Sequence, residues 1–157
     1  MFRFIAACIF LMGCAYPEPP EIIREDARVE GVLDGDTFSV HFGGRLEKVR
    51  ILGINAPELG KKECSAVEAQ LFLQDLLEGK YVVLERNTAR KSRDRYRRLL
   101  RTVYLNETDV ALMLVKDGYA RVYVQWEDEH ALTYAVYEEE ARNLRKGLWN
   151  CTDLRNL

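Results

Sequence analysis

The sequence has little of what marks several common classes of protein. It holds only 4 cysteines and 2 histidines in 157 residues, and their spacing fits no zinc-binding pattern, so we expect no structural zinc. The formal net charge of −2 at pH 7 excludes the overall positive field that holds nucleic acid indiscriminately. No internal repeat is present. The remaining composition, 48% hydrophobic and 31% charged, predicts one soluble globular domain.

The chain also lacks an apolar run at its start that is long enough to span a bilayer. Residues 1–13 have a positively charged beginning and a short apolar core ending in small residues, which is typical of an export signal. Leu11-Met12-Gly13-Cys14 resembles the lipobox of bacterial lipoproteins, in which cleavage leaves the cysteine as a lipid-bearing first residue. We therefore expect a lipid on Cys14; an ordinary cleaved signal with a chance cysteine is the alternative.

These features predict a protein of the cell envelope, anchored to a membrane on its periplasmic or extracellular face. Residues 14–26 are proline-rich and acidic and should form a flexible, extended tether. Residues 27–151 are predicted to be the folded domain, and residues 152–157 a short tail.

The cysteines that remain after the signal suggest one disulfide. Removal of residues 1–13 leaves Cys14, Cys64 and Cys151. If Cys14 carries lipid, the other two thiols stand in an oxidising compartment, and pairing them is the economical interpretation. Two buried free cysteines are the alternative.

A predicted β-hairpin brings charged side chains together in the first half of the domain. Residues 37–42 alternate polar and apolar, two glycines follow, and residues 45–54 continue as an apolar strand, a pattern typical of a two-residue turn. In that register Thr37 faces Arg50. Asp36 then lies close enough to Arg50 for a carboxylate and a guanidinium to flank one phosphate.

The remaining periodicities predict three helices and two further strands after the hairpin. Ser65 followed by Glu68 is a capping-box pattern that predicts the start of the first helix. The predicted strands are 27–33, 37–42, 45–54, 81–84 and 98–105, and the predicted helices cover about 65–78, 108–116 and 128–146, the last with Tyr134, Tyr137, Ala141 and Leu144 facing the core. This order of elements predicts an α+β domain on a small closed or partly open barrel.

A basic segment leads into the last predicted strand and continues through its first residues. Asp94 is its single acid and Tyr96 its single aromatic residue, among Arg90, Lys91, Arg93, Arg95, Arg97, Arg98 and Arg101. Such a segment could hold phosphates and stack a base. A solvated basic loop is the alternative.

Three residues near the hairpin match the needs of phosphodiester hydrolysis. Asp36 could hold a cation, Arg50 could fork onto a phosphate, and Glu58 could take a proton from water. The reaction requires a polarising cation, cationic stabilisation of the phosphate oxygens and a base on the attacking water. The sequence therefore predicts a hydrolytic site here.

Four motifs occur in an order that resembles one known family. They are Leu33-Asp34-Gly35-Asp36-Thr37, the stretch from Val49 to Glu58, Asp94-Arg95-Tyr96-Arg97-Arg98 and Gly147-Leu148-Trp149. Together they resemble the signatures of the staphylococcal nuclease, or thermonuclease, family across about residues 27–150. The resemblance implies a five-stranded OB-fold β-barrel with three α-helices, and calcium-dependent cleavage of DNA and RNA.

The resemblance also implies roles for particular residues. Glu58 matches the general base, and Arg50 and Arg98 match the two guanidinium groups that clamp the phosphate. Arg95 and Tyr96 match a pair that contacts substrate. Farther on, Tyr123 and Trp126 lie where the family tends to place aromatic residues of the nucleotide pocket, although they could equally seal the last helix onto the barrel.

For calcium, the resemblance implies Asp36, position 55 and the backbone carbonyl of Ala56. Asn55 stands where the family has an aspartate, so the site loses a negative charge and should bind calcium less tightly. Arg97 stands where a glycine is usual, and it could require a different loop conformation because arginine rarely adopts positive φ.

The leading hypothesis is thus an exported, lipid-anchored, monomeric nuclease that uses calcium and acts on single-stranded or flexible DNA or RNA. An alternative is a weakly active or inactive OB-fold module that binds nucleic acid or protein. Glu58 together with Arg50 and Arg98 favours the enzyme, because a binding module has no chemical need for a base. A purely structural envelope lipoprotein would leave these residues unexplained.

Overall fold

The structure is a computed structural model that describes residues 19–123 and 130–152. Its strands are β1 Ile22–Asp34, β2 Thr37–Phe42, β3 Arg45–Ile51, β4 Ile54–Asn55, β5 Tyr81–Asn87, β6 Leu99–Leu105, β7 Thr108–Asp109 and β8 Arg121–Val122. Its helices are α1 Ala66–Leu77, α2 Val110–Lys116 and α3 Ala131–Asn143, with short 3₁₀ turns at Leu59–Lys61 and Gly147–Asn150.

Five of these strands close into a barrel. Their order is β3-β2-β1-β5-β6, and a parallel pairing between β3 and β6 joins the two edges. The short strand β7 extends the sheet beyond β6, and β4 pairs with β8. With three α-helices in the described residues, the predicted α+β fold on a five-stranded OB-type barrel is confirmed.

The predicted hairpin has the expected register. Thr37 pairs with Arg50 and Phe42 with Arg45, and the turn glycines between the strands have φ of 57° and 77°, as a type I′ turn requires. β2 begins and β3 ends at the same end of the barrel, so the pair Thr37 and Arg50 marks that end.

Strand β1 begins earlier than the sequence indicated. The predicted tether, residues 14–26, overlaps the strand from Ile22 onward, so the tether boundary was wrong. The reason is a longer partner: β5 continues to Asn87, and Ile22 to Arg28 pair with it along its whole length. The second half of β1 pairs with β2 instead, so one bent strand serves both neighbours.

The core fills the barrel and the space beneath the helices. Its largest fully buried side chains are Tyr134, Phe38, Ile51, Ile54, Leu73, Leu77, Leu84, Leu114, Leu148, Val29, Val40 and Val49. Asp109 caps α2 by accepting hydrogen bonds from the amides of Ala111 at 2.8 Å and Leu112 at 3.3 Å. The hydroxyl of Tyr134 donates to the same carboxylate, which ties α3 to the start of α2.

The capping box predicted for α1 was wrong. Ser65 has a left-handed backbone, with φ of 64°, and its side chain makes no capping hydrogen bond. Its hydroxyl instead lies 3.8 Å from the sulfur of Cys151. The chain is fixed here because Cys64 and Cys151 form a disulfide with a sequence separation of 87. Closing a loop of that length stabilises by about 4 kcal/mol in the chain-entropy account.

Helix α3 is shorter than expected, and its buried face differs. It ends at Asn143, and Arg145 turns the chain with φ of 51°. Leu144 therefore lies past the helix and is 61% exposed, so its predicted core position was wrong. Across the described ranges, no helix combines the length and apolar character needed to cross a membrane.

The tight contact of Gly35 with α1 gives a test of this packing. A Cβ at Gly35 would lie 2.7 Å from the Cβ of Ala56 and 2.8 Å from that of Ala69. We expect Gly35→Ala to lower the free energy of unfolding by about 1 to 3 kcal/mol through overpacking, as measured by urea denaturation.

Gly60→Ala is the matched control, because a Cβ there would meet nothing within 4 Å. A Gly35→Ala protein that is as stable as the Gly60→Ala protein would contradict this packing.

Candidate active site

A cleft of about 810 Å³ opens at the end of the barrel marked by Thr37 and Arg50. It is bordered by the turn after β1, the end of β3, the segment after β4 and the loop between β5 and β6. Its charged lining residues are Asp34, Asp36, Glu58 and Asp94 on the acidic side and Arg50, Lys91, Arg93, Arg95 and Arg98 on the basic side. The cleft therefore collects acids and cations from distant parts of the sequence.

Asp36 is the buried centre of the cleft. One carboxylate oxygen accepts a hydrogen bond from the Thr37 hydroxyl at 2.9 Å. The other accepts one from the Ala56 amide at 2.9 Å and lies 3.0 Å from Nη2 of Arg50. A backbone amide and a guanidinium thus hold this side chain in one orientation.

Arg50 lies against Asp36 with its side chain only 12% exposed. Its Nη1 donates to the Ile51 carbonyl at 2.6 Å, and its Nη2 donates to Oδ1 of Asn55 at 3.0 Å. Burial lowers the pKa of the Arg50 guanidinium, the charge of Asp36 opposes that shift, and the charge of Arg98 adds to it. Arginine stays cationic in proteins, so a fixed positive charge lies at the base of the cleft.

Arg98, the residue just before β6, supplies a second guanidinium. Its Nε donates to Asp94 at 2.7 Å, and its Nη1 donates to the Thr37 hydroxyl at 3.1 Å. Thr37 therefore bridges Asp36 and Arg98. Both arginines thus line one cleft, each paired with a different carboxylate, Arg50 with Asp36 and Arg98 with Asp94.

Asp94 orients the arginine, a role that the sequence did not reveal. Its Oδ1 accepts hydrogen bonds from the amides of Tyr96 and Arg98, both at 2.9 Å. Burial alone would raise the pKa of the Asp94 carboxyl, but the bonds from the Arg98 side chain and amide, the charge of Arg98 and the bond from the Tyr96 amide together lower it. A single aspartate before a run of arginines was the available signal.

Arg97 adopts the backbone conformation that glycine favours. Its φ is 66°, so the arginine takes the left-handed conformation itself. That conformation costs an L-residue roughly 1 to 2 kcal/mol. The strained residue lies next to Arg98.

Two arginines anchor the rest of the basic loop. The Arg93 guanidinium makes a forked contact with Glu47, at 2.8 and 3.0 Å, and also donates to the Arg97 carbonyl. Arg101 is buried, and its Nη1 donates to the carbonyl of Ser92 at 3.1 Å. The loop is thereby held to both β3 and β6.

Arg95 and Tyr96, the pair that the resemblance implies to contact substrate, both line the cleft. Tyr96 is 64% exposed, and its hydroxyl accepts a hydrogen bond from Arg95 at 2.7 Å. The guanidinium carbons of Arg95 and Arg98 lie 4.7 and 5.4 Å from its ring centroid. Through these two cation–π contacts, the Tyr96 ring and the planar guanidinium groups form one flat surface.

Glu58 reaches the same cleft from the segment after β4. Its side chain is 49% exposed and lies 3.1 Å from Nζ of Lys61. Its backbone amide donates to Oε2 of Glu63 at 2.8 Å. The carboxylate is therefore open to water while Glu63 fixes its backbone. Neither Lys61 nor Glu63 had been recognised as a partner from the sequence.

The oxygen ligands near Asp36 suit calcium in kind. Calcium prefers carboxylate, amide and carbonyl oxygens, which Asp36, Asn55 and Ala56 offer. Within residues 19–123 and 130–152, however, no three acidic, histidine or cysteine side chains cluster closely enough to hold a metal. The donor set fits a hard cation but carries little charge.

Asp34 is a second carboxylate of the cleft, and no role for it was predicted from the sequence. Its Oδ1 accepts a hydrogen bond from the Gly35 amide at 3.0 Å. Burial raises the pKa of the Asp34 carboxyl, the Gly35 amide opposes that shift, and the charges of Asp36 and Glu58 add to it. A bound cation would relieve this repulsion. The repeated acids of the Asp-Gly-Asp motif were the signal for it.

Two assigned residues lie outside the described residues: Trp126, proposed to contact substrate, and Cys14, proposed to carry lipid. Tyr123 lines the cleft, and its amide donates to the Gly53 carbonyl at 2.9 Å.

The structure defines an OB-fold barrel of the α+β class whose cleft gathers Asp36, Glu58 and two arginines. A family model described as staphylococcal nuclease homologue matches residues 48–151. The chain belongs to this family.

Curated relatives agree with this membership. The chain is 35% identical to an uncharacterized endonuclease of Haemophilus influenzae over 127 residues, covering 80% of this chain and 67% of the relative. An uncharacterized endonuclease of Escherichia coli is also 35% identical, with 80% and 78% covered. The thermonuclease of Staphylococcus intermedius is 28% identical over 134 residues, with 82% and 79% covered.

The environment of Asp34 predicts a pH-dependent gain from Asp34→Asn. Because the folded-state pKa is raised, the neutral form of Asp34 favours folding below its unfolded pKa of about 3.9. That contribution is lost as pH rises through the folded pKa. Asparagine keeps the neutral form, so the variant should gain stability over the parent as pH rises toward 7, in urea denaturation with a chelator present.

Asp75→Asn, at an exposed position of α1, is the control. An Asp34→Asn advantage that stays constant with pH, or is absent at pH 7, would show that Asp34 is not repelled in the folded state.

Proposed function

We propose that the protein is a calcium-dependent nuclease that hydrolyses phosphodiester bonds of DNA, RNA or both. One observation carries the proposal: Arg50 and Arg98 line one cleft and are linked through buried Asp36 and Thr37, and Glu58 lines the same cleft. The names of the relatives, endonuclease and thermonuclease, support the same reaction class.

In this proposal the two arginines stabilise charge on the phosphate. Their guanidinium groups donate to the non-bridging oxygens of the scissile group, and this donation strengthens as negative charge builds there. Asp36 and Asp94 already hold the arginines in place. Little reorganisation is therefore needed during the reaction.

Glu58 acts as the general base. Its half-exposed carboxylate accepts a proton from a water molecule, whose oxygen attacks phosphorus while the oxygen of the leaving nucleotide departs. Lys61 pairs with this carboxylate at 3.1 Å. That pairing keeps a cation beside the base before substrate enters.

Asp36, the Asn55 side-chain oxygen and the Ala56 carbonyl would hold calcium, with Asp34 nearby. The ion would contribute Lewis-acid stabilisation of phosphate charge. Because Asn55 is neutral, the phosphate of the substrate would supply part of the negative charge that holds the ion.

Arg95 and Tyr96 are proposed to contact the substrate beside the scissile phosphate, with Trp126 as a further contact. The exposed Tyr96 ring offers a face on which an unpaired base can stack. This favours single-stranded or flexible nucleic acid. We propose a monomer, since one chain contributes all of these residues.

Glu58→Gln tests the general base. We expect turnover on single-stranded DNA to fall by about 10²-fold or more, with affinity for a short oligonucleotide retained, because the base acts in the transition state.

Arg50→Ala and Arg98→Ala should lower turnover by about 10² to 10³-fold through lost charge stabilisation. Turnover and binding would be measured in parallel at saturating calcium.

Glu68→Gln, at an exposed site on α1, is the matched control for Glu58→Gln. A Glu58→Gln protein with the turnover of this control would remove Glu58 from the mechanism.

Asn55→Asp tests the calcium assignment. The Asn55 side-chain oxygen lies 3.0 Å from Nη2 of Arg50. A carboxylate at position 55 would therefore contact both the arginine and the proposed ion. We expect the half-saturating calcium concentration to fall, since calcium affinity rises with the number of charged ligands. It would be read from the initial rate of digestion.

Asn106→Asp, in the exposed turn between β6 and β7, makes the same chemical change outside the cleft. An equal calcium requirement in the two variants would contradict the placement of the ion at Asn55.

We also propose that residues 1–13 direct export and that Cys14 anchors the mature chain to a membrane by a lipid. Two or more acyl chains give lasting attachment where one does not.

We expect Cys14→Ser to move the protein from the membrane fraction to the soluble fraction. A variant that stays equally membrane-bound would remove the proposal.

A binding module that grips nucleic acid without turnover is the second candidate. The neutral Asn55 and the low charge of the donor set favour it. It predicts oligonucleotide binding that is unaffected by calcium.

A further inference from the structure

The segment between the barrel and α1 carries Glu58 but buries none of its own residues. Residues 58–65, all of them described by the structure, include no buried residue, whereas Pro57 before them and Ala66 after them are both buried. Apolar packing therefore fixes the two ends of this segment. Polar and covalent contacts have to fix what lies between them, because a stretch with little apolar contact opens easily.

Glu63 closes the segment onto Glu58. Its carboxylate accepts a hydrogen bond from the Glu58 amide at 2.8 Å, and its own amide donates to the Glu58 carbonyl at 3.3 Å. The Glu63 side chain is only 12% exposed, and its other oxygen lies 3.8 Å from Nζ of Lys61. Toward the barrel, the Leu59 amide makes only a long contact with Asp34, at 3.4 Å. Both backbone groups of Glu58 are thus bound to Glu63.

The residue after Glu63 is Cys64, whose disulfide joins the segment to the core. Its partner Cys151 donates its amide to the Leu148 carbonyl at 3.2 Å. Leu148 is fully buried, and its amide donates to the Gly118 carbonyl at 2.9 Å. The disulfide therefore connects Glu63 to the core through the turn that follows α3.

The two arginines of the cleft are held by other means. Arg50 and Arg98 pair with carboxylates that lie outside residues 58–65. Among the described residues, those that border the cleft include Glu58 but not Glu63. A disturbance of the segment would therefore move the Glu58 carboxylate and leave both guanidinium groups where they are.

We propose that Glu63 and the Cys64–Cys151 disulfide position Glu58 for catalysis. This inference rests on the proposed nuclease function and deepens it. Glu63 holds the backbone of Glu58 and the disulfide holds Glu63, so turnover depends on both, although neither touches the substrate. A misplacement of about 1 Å at a reacting group can lower a rate by about 10²-fold.

The first test measures kcat and KM on single-stranded DNA at saturating calcium. We expect Glu63→Ala to lower kcat by about 10-fold or more with KM unchanged, because the base is displaced and the arginines are not. Glu63→Gln should retain most of the turnover, because its side-chain oxygen still accepts the bond from the Glu58 amide. Glu68→Ala, at an exposed site on α1, is the matched control.

The second test removes the disulfide by the double substitution Cys64→Ser and Cys151→Ser. We expect the same loss in kcat at unchanged KM. Since loss of a disulfide also lowers stability, Leu77→Ala is the control. It removes a fully buried side chain at the far end of α1, which lowers stability with the disulfide intact. Each protein is assayed at a temperature at which thermal unfolding shows it to be folded.

Amide hydrogen exchange, measured by NMR, gives a readout that does not depend on cleavage. The Glu58 amide should exchange at least about 10-fold faster in Glu63→Ala and in the double serine variant than in the parent, because its hydrogen bond is lost or opens more often. The Ala56 amide is bound to Asp36 instead. Its exchange should stay unchanged in both variants.

The outcomes separate the two claims. A parent that cleaves DNA, with kcat of the double serine variant equal to that of Leu77→Ala, overturns the positioning role alone. Equal acceleration of exchange at Ala56 and Glu58 would show a general loosening of the site and also overturn that role. A parent that cleaves neither DNA nor RNA overturns the nuclease and the positioning role with it.

Discussion

The buried carboxylate of Asp36 is the constraint on which the site depends. It is held by the Ala56 amide, the Thr37 hydroxyl and the Arg50 guanidinium, and Thr37 passes the connection on to Arg98. Removing one member of a buried ionic network commonly costs 3 to 5 kcal/mol. The geometry of both arginines is therefore coupled to one side chain, and so is the proposed cation.

The barrel makes that network possible. The hairpin register sets Thr37 opposite Arg50. The parallel pairing of β3 with β6 brings the start of β6, and with it the preceding residue Arg98, to the same end of the barrel. Gly35 lets the turn carrying Asp36 pack onto α1. The site is consequently built on rigid strand ends, while the exposed groups at its mouth stay free to meet a substrate.

Much of this arrangement could be predicted from local sequence, and the rest could not for physical reasons. Hairpin register follows from a two-residue turn and alternation, which are local. The start of β1 depends on how far β5 extends, which is a long-range pairing. Asp94 and Glu63 act through hydrogen bonds that exist only once loops are closed. Ser65 lies at the N-cap position, but its left-handed backbone departs from the extended conformation that a side-chain cap usually has.

The most direct test of the account is digestion of single-stranded DNA and RNA by the purified domain at millimolar calcium, with a chelator control. The account predicts products that appear with calcium and disappear with chelator, because Asp36 and its neutral neighbour Asn55 cannot stabilise the developing phosphate charge without the ion. Intact substrate in both conditions, from a folded protein that still binds the oligonucleotide, would contradict the nuclease and leave the binding module in its place.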